Sequence, residues 1–395
     1  MKKFATVAIS IIVAAVLLYF VFSTISFDEV LDTIRAADKR WIGIFLLCST
    51  TMSIFATWRY LLLLNVLGYT TPKLSMYLVV LVRNLFSDLL PARLGTVVYI
   101  FIVRTRLGIP AAEAITSFGY AFLFDFVAMA PLIILAAFFA IGGETLSPDL
   151  LIGAGVVLFL LMGTLIALLP YILLRLAVVL KPYMPQRVDQ LLEKVSKEVA
   201  AVSSAGILGR ILTLSFGIRI AKYFGLYAFL VALLVPRGYT VAELPFPKMF
   251  IGMSAAELSA TLPISGIAGL GTYQGTWIAV FSMLGFPLDL AKVTAISHHL
   301  FSQGYGYSLG LLALLILMVP WMKLETPLTL TKHSTVRGFM GKLSLLIGLF
   351  VLVLQFLWPK DTVSEAVQVM GEVNRSEALN TDERVVFDSR RGKSF

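Results

Sequence analysis

Several ionisable side chains of this sequence stand inside long apolar runs. Asp125 lies in FLFDF, Arg219 lies in GIRIAK with Lys222 one turn on, and Glu257 is the acid of the arm Phe250–Leu262. A charge at the bilayer centre costs about 2.5–3.5 kcal/mol on insertion scales, so such groups face each other, water or a polar ligand. Two readings fit. In one, Arg219 and Lys222 receive an anionic headgroup that Asp125 positions or releases. In the other, Asp125 and Arg219 are a structural ion pair that holds two spans together. The two do not exclude each other. Glu257 is either a proton-coupling group or the partner of a basic residue.

A second group of polar residues surrounds two breaks in apolar segments. LLPARLG at Leu89–Gly95 carries Arg93 between Pro91 and Gly95, with Arg83 and Asp88 upstream. The planar guanidinium donates two parallel hydrogen bonds to a phosphate, and a helix starting after the break would add unpaired N–H donors. Arg93 is therefore expected to bind substrate, whereas Arg83 is expected to snorkel to the inner headgroups. LPISGIAGLGTYQG at Leu262–Gly275 holds the second break, with Ser265, Tyr273 and Gln274 beside Pro263, Gly266, Gly269 and Gly271. His298 and His299 follow it. Being adjacent they point to different helix faces and cannot both line one site, and a packed histidine is the simpler reading of either. With no Cys, Asp or Glu nearby at ligand spacing, neither a metal nor another cofactor is expected.

The elements that must position these residues are transmembrane helices. Of the 395 residues 58% are apolar and 14% charged, and mean hydropathy is +0.90, well outside the soluble globular range. The net charge of +9 would suggest nucleic acid in a soluble chain; here the basic residues cluster between spans, where topology and anionic lipid need them, and no nucleic acid is expected. The lone Cys48 excludes a disulfide framework.

The fold class expected is an all-α polytopic membrane protein, with about seven transmembrane helices and two re-entrant broken-helix hairpins. The spans are 4–22, 41–64, 111–141, 151–180, 206–235, 290–319 and 342–358, and the hairpins are 74–103 and 250–285. Two amphipathic helices are expected at the membrane surface, within 26–40 and 181–202. In the second, Val188, Leu191, Leu192, Val195, Val199 and Val202 recur at helical spacing. About eighteen Lys and Arg fall at inner loops against about six in short outer ones, which puts the N-terminus in the cytoplasm. Span, span, hairpin, span occurs in 4–141 and again in 150–319. Three crossings per copy make the second copy inverted, as in transporters. Residues 1–358 then form one membrane domain, and the polar 359–395 an extracytoplasmic tail.

Both broken stretches resemble the transmembrane region of lysylphosphatidylglycerol synthases, a flippase-like family. Pro91, Ala92, Arg93 and Gly95 match its P-A-R-x-G-E-x-x-R signature, with Thr96 and Tyr99 at the two later charged positions. Asp125 remains of a following E-R-x-x-D pattern. Pro263, Ile264, Ser265, Gly269, Leu270 and Gly271 match P-I-S followed by G-L-G-x-x-E, with Gln274 in place of the Glu, and His299 stands where some members carry a His. The resemblance implies a lipid-handling protein of a bacterial inner membrane. In bifunctional members this region moves aminoacylated phospholipid across the bilayer.

Three functions follow as expectations. The first is a lipid translocator whose hairpins form a polar path, with membrane lipids as its partners. The second is an enzyme acting on lipid phosphates, disfavoured because the chain has no D-x-D and no acid-rich motif at a membrane face. The third is a non-catalytic accessory subunit bound to a lipid- or glycolipid-pathway enzyme. The oligomeric state is not readable from the sequence.

Overall fold

The computed structural model describes residues 27–90, 95–141, 185–262, 265 and 267–318, together with scattered helical positions between 153 and 179. The described residues are helical and contain no strand. Ten helices run in order: α1 (Phe27–Ala36), α2 (Lys39–Val66), α3 (Lys73–Leu89), α4 (Gly95–Arg106), α5 (Ala111–Ile141), α6 (Gln186–Ser204), α7 (Leu208–Leu234), α8 (Phe246–Ser259), α9 (Thr272–Met283) and α10 (Leu288–Met318).

Four of these, α2, α5, α7 and α10, are long and apolar enough to cross a membrane. They match the spans expected at 41–64, 111–141, 206–235 and 290–319. The expected spans 4–22 and 342–358 and the tail lie outside the described residues, and 151–180 is described only in part. The helix pairs α3/α4 and α8/α9 fall where the two hairpins were expected. Arms α4, α8 and α9 have 12, 14 and 12 residues. At 1.5 Å per residue each reaches about 18–21 Å, too short to cross a hydrocarbon core of about 30 Å alone.

The breaks have local causes. At Gly95 a Cβ would come within 2.2 Å of the Ser87 backbone nitrogen, so only glycine lets α4 start against the end of α3. In the second hairpin Ala268, Gly269 and Gly271 take φ values of 59°, 69° and 89°. Those left-handed turns are cheap for glycine and cost a non-glycine residue roughly 1–2 kcal/mol, so the chain reverses on them. The 3₁₀ turn Ile267–Gly269 packs on α3, which brings the second break against the first hairpin.

The packing of the helices pairs off between the two halves. α2 and α7 lie against each other along their lengths, with Cys48 of α2 meeting α7 at Gly225. α3 packs on α10 and α8 on α5. α4 packs on α5 and α9 on α10; α2 meets α3 and α7 meets α8; α2 meets α5 and α7 meets α10. The amphipathic helices follow suit: α1 touches α10 and α7, and α6 touches α5 and α2. Even the polar contacts correspond. Tyr99 of α4 hydrogen-bonds Ser117 of α5 at 2.9 Å, and Trp277 of α9 donates to Thr294 of α10 at 3.2 Å.

Two cores result. One joins the C-terminal half of α2 with α3 to α6 and the start of α7; the other joins the N-terminal half of α2 with the rest of α7 and α8 to α10. One close packing has no counterpart of like extent. α5 lies on α7, whereas α2 and α10 stand apart and meet through Phe45 against Phe301 and Tyr305, with ring centres 6.0 and 5.5 Å apart.

Candidate functional site

A cavity of about 180 Å³ lies between α2 and α10, with α3, α5, α7 and α8 contributing to its wall. Its lining is unusual for a membrane interior: Arg59, Arg83, Arg219 and Lys222 stand with Asp88, Asp125 and Glu257, among Ser49, Ser53, Asn84, Ser87, Ser302 and Gln303. Four of the expected site residues, Asp125, Arg219, Lys222 and Glu257, meet here.

Asp125 is the centre of the charge arrangement. Arg59 Nη1 donates to its Oδ1 at 2.7 Å and Arg219 Nη2 pairs with Oδ2 at 3.0 Å, so one carboxylate answers two guanidiniums. Arg59 Nη1 also donates to Ser215 Oγ at 2.7 Å, whose hydroxyl donates in turn to Ile211 O at 2.8 Å. The cluster ties α2, α5 and α7 together in a setting where an unpaired charge is costly. A structural Asp125–Arg219 pair is therefore present, and both members also face the cavity. Lys222 is ion-paired with Glu257 of α8, and its ammonium lies 5.8 Å from the centre of the Tyr223 ring. Glu257 thus has the basic partner foreseen as one of its two roles.

Arg83 does not behave as expected. Ten residues into α3, its guanidinium lines the cavity, flanked by the Tyr60 and Phe118 rings at 6.0 and 5.6 Å. The rings favour that position because a cation lying over an aromatic face is held by the ring quadrupole.

The residues beside the second break form a separate cluster that does not line the cavity. Gln274 caps α9: its Oε1 accepts from Gly271 N–H at 2.8 Å. That bond fixes the amide orientation, so Nε2 donates to His299 Nδ1, also at 2.8 Å, and the neutral His299 ring carries its proton on Nε2. His298 Nε2 donates to Leu226 O at 2.9 Å, leaving Nδ1 to accept from the Tyr273 hydroxyl at 3.2 Å. Tyr273 also stacks on His299, with ring centres 4.2 Å apart. The two histidines turn to different partners, His298 to α7 and His299 to Gln274, and neither lines the cavity. The first turn of α9 crosses α10, so consecutive residues of one helix reach consecutive residues of the other. Ser265 is fully buried and its hydroxyl turns back to Leu262 O at 2.7 Å. Gly269 and Gly271 make the turn, Gly95 starts α4, and Pro91, Arg93, Pro263 and Gly266 lie outside the described residues.

Arg59 is the site residue that sequence reasoning missed. It is 1% exposed, although it sits only two turns from the end of α2. The signal available was the one used for Asp125, a charge inside an apolar run, and its nearness to the helix end concealed it. Ser302 and Gln303 carry no such signal, because hydroxyl and amide side chains are common in membrane helices.

The chain was also compared with known proteins. No match was found among curated proteins. The family model for the lysylphosphatidylglycerol synthase transmembrane region matches residues 7–310. With four helices fit to cross a bilayer, this makes it a membrane protein with a lipid-associated role. Matched over most of its length, the chain belongs to the lysylphosphatidylglycerol synthase transmembrane-region family.

Proposed function

We propose that this protein moves an amphiphilic, anionic-headgroup membrane lipid across the bilayer, the headgroup passing through the cavity while the acyl chains stay in lipid. The observation that carries this reading is the cavity: charged and hydroxyl side chains from six helices line a space inside a membrane protein of a lipid-related family. Ionisable groups at membrane depth pair with one another or line polar cavities, and a cavity lined by them is the usual mark of a substrate pathway.

Alternating access is the mechanism we infer, with residues 4–141 and 150–319 as an inverted repeat within a seven-span chain. The reciprocal packing of the two halves supports it, and so does the exception. α5 rests on α7 while α2 and α10 part to leave the cavity. Exchanging these two relations closes the cavity and opens a related one on the other side of the repeat. Such exchange needs no new fold, since the two arrangements reuse corresponding contacts. The Asp125 cluster and the Lys222–Glu257 pair hold the present arrangement, and a headgroup that competes for their charges loosens it. The protein acts here as a transporter and not as an enzyme, with membrane lipids as its partners.

Purified protein reconstituted into liposomes tests this directly, by following loss of headgroup accessibility in the outer leaflet for a small lipid panel. Wild type is expected to move anionic-headgroup analogues. Arg219→Ala and Lys222→Gln are expected to slow that movement by about tenfold or more while eluting as folded protein. No movement by folded wild type under any imposed ion gradient overturns the assignment.

A further inference from the structure

The charges of the cavity are not all answered. Both oxygens of Asp125 are taken, one by Arg59 and one by Arg219, and Glu257 is held by Lys222. Among the described residues no carboxylate lies within ion-pair distance of Arg83, although Asp88 and Asp125 share the cavity with it and their charges act on it at longer range. Its one hydrogen bond goes from Nη1 to Asn84 Oδ1 at 3.2 Å, and its Nε–H is buried with no acceptor. A guanidinium has five N–H donors in one plane, so most of this fork is unspent. The Tyr60 and Phe118 rings lie 6.0 and 5.6 Å from the cation and steady it without using its N–H donors.

In the same cavity stand the hydroxyls of Ser49 and Ser87 and the carboxamide of Gln303, all able to donate to an oxyanion. The cavity, of about 180 Å³, has room for a tetrahedral anion. Such a fork matches the phosphate of a membrane lipid, whose oxygens take two parallel N–H bonds; a carboxylate is the other group it fits.

We propose that Arg83 is the phosphate receptor of the cavity: its guanidinium fork binds the phosphate monoester or diester of the ligand, with Ser49, Ser87 and Gln303 as supporting donors. The lipid source of that phosphate rests on the translocator reading; the site itself does not. Arg83 recognises, and the Asp125 and Glu257 clusters hold the helices around it.

Binding to the full chain in detergent tests the assignment by calorimetry and thermal shift, with four probes: dihexanoyl phosphatidic acid, dihexanoyl phosphatidylglycerol, inorganic phosphate and hexanoate. Wild type is expected to bind the phospholipids and not hexanoate. Arg83→Gln is expected to weaken phospholipid binding by about tenfold or more, and Arg83→Lys, which keeps the charge but loses the fork, by less. Inorganic phosphate competing at similar concentration assigns the site to free phosphate; failure to compete while the lipids bind assigns it to a headgroup. Either result supports the receptor. Equal binding of phospholipid by wild type and folded Arg83→Gln overturns it, as does equal binding of hexanoate. Folding of Arg83→Gln is checked by elution volume and by its melting temperature without ligand. Arg83-dependent binding by a protein that moves no lipid in liposomes keeps the site and sinks the transport reading. Transport with binding indifferent to Arg83 does the reverse.

Discussion

Asp125 is outnumbered, and that asymmetry makes it the residue whose loss is most costly. Removing it leaves Arg59 and Arg219 as two buried guanidiniums without a counter-ion, and breaking a buried pair costs about 3–5 kcal/mol. Asp125→Ala is therefore expected to lower the melting temperature in detergent markedly, and Arg59→Met made in the same protein to recover part of the loss. A double-mutant cycle reads the coupling, and strictly additive losses would show that the cluster does not act as a unit. The involvement of Asp125 and Arg219 was legible, because a charge in an apolar run has few explanations. The sequence could not say which partners they choose, since Arg59, Asp125 and Arg219 come from three helices and meet only in the packed fold. Arg83 shows the same limit. Snorkelling and cavity lining are equally open to a long side chain until the positions of Tyr60 and Phe118 are known.

At the scale of the element, the hairpins depend on backbone approach more than on side-chain packing. Gly95→Ala places a methyl against the backbone of Ser87, where no rotamer can relieve it. Overpacking of this kind costs about 1–3 kcal/mol or more, so a clear drop in thermal stability is expected. Gly119, inside α5, has nothing within 4 Å of its would-be Cβ. Gly119→Ala is thus expected to be neutral or to stabilise by about 0.4–1 kcal/mol. Thermal melts of the two variants side by side separate a close-approach glycine from one that is merely helical, and equal effects would refute the distinction. The positions of both breaks were readable because proline and clustered glycine disfavour helix whatever surrounds them. Their use was less readable. The polar residues around Gly271 were expected to face substrate; in the fold Gln274 caps α9, and Tyr273 and Gln274 bond His298 and His299. The pattern of residue types is the same for a ligand site and for an internal clasp.

For the whole molecule, the prediction concerns the gap between α2 and α10. Ser53 and Ser302 line the cavity from those two helices. If the halves exchange arrangements, a Ser53→Cys/Ser302→Cys protein in liposomes is expected to be captured by a short bismaleimide, and lipid movement to stop as the cross-link forms. Continued transport with no cross-link would rule out closure of this gap. Neither the gap nor the reciprocal packing was readable from the chain, where residue similarity between the halves is faint. The order of spans and hairpins is the one feature of the chain that points to a repeat. The α2–α7 seam is common to both arrangements, and Cys48, the single cysteine of the sequence, lies in it fully buried. The native protein therefore carries a silent thiol. Reagents added to folded wild type should find nothing to label, and introduced cysteines need no cysteine-free background. In a bilayer, slow labelling of the wild-type chain would time the parting of its two central helices, and turnover of substrate should leave that clock unchanged.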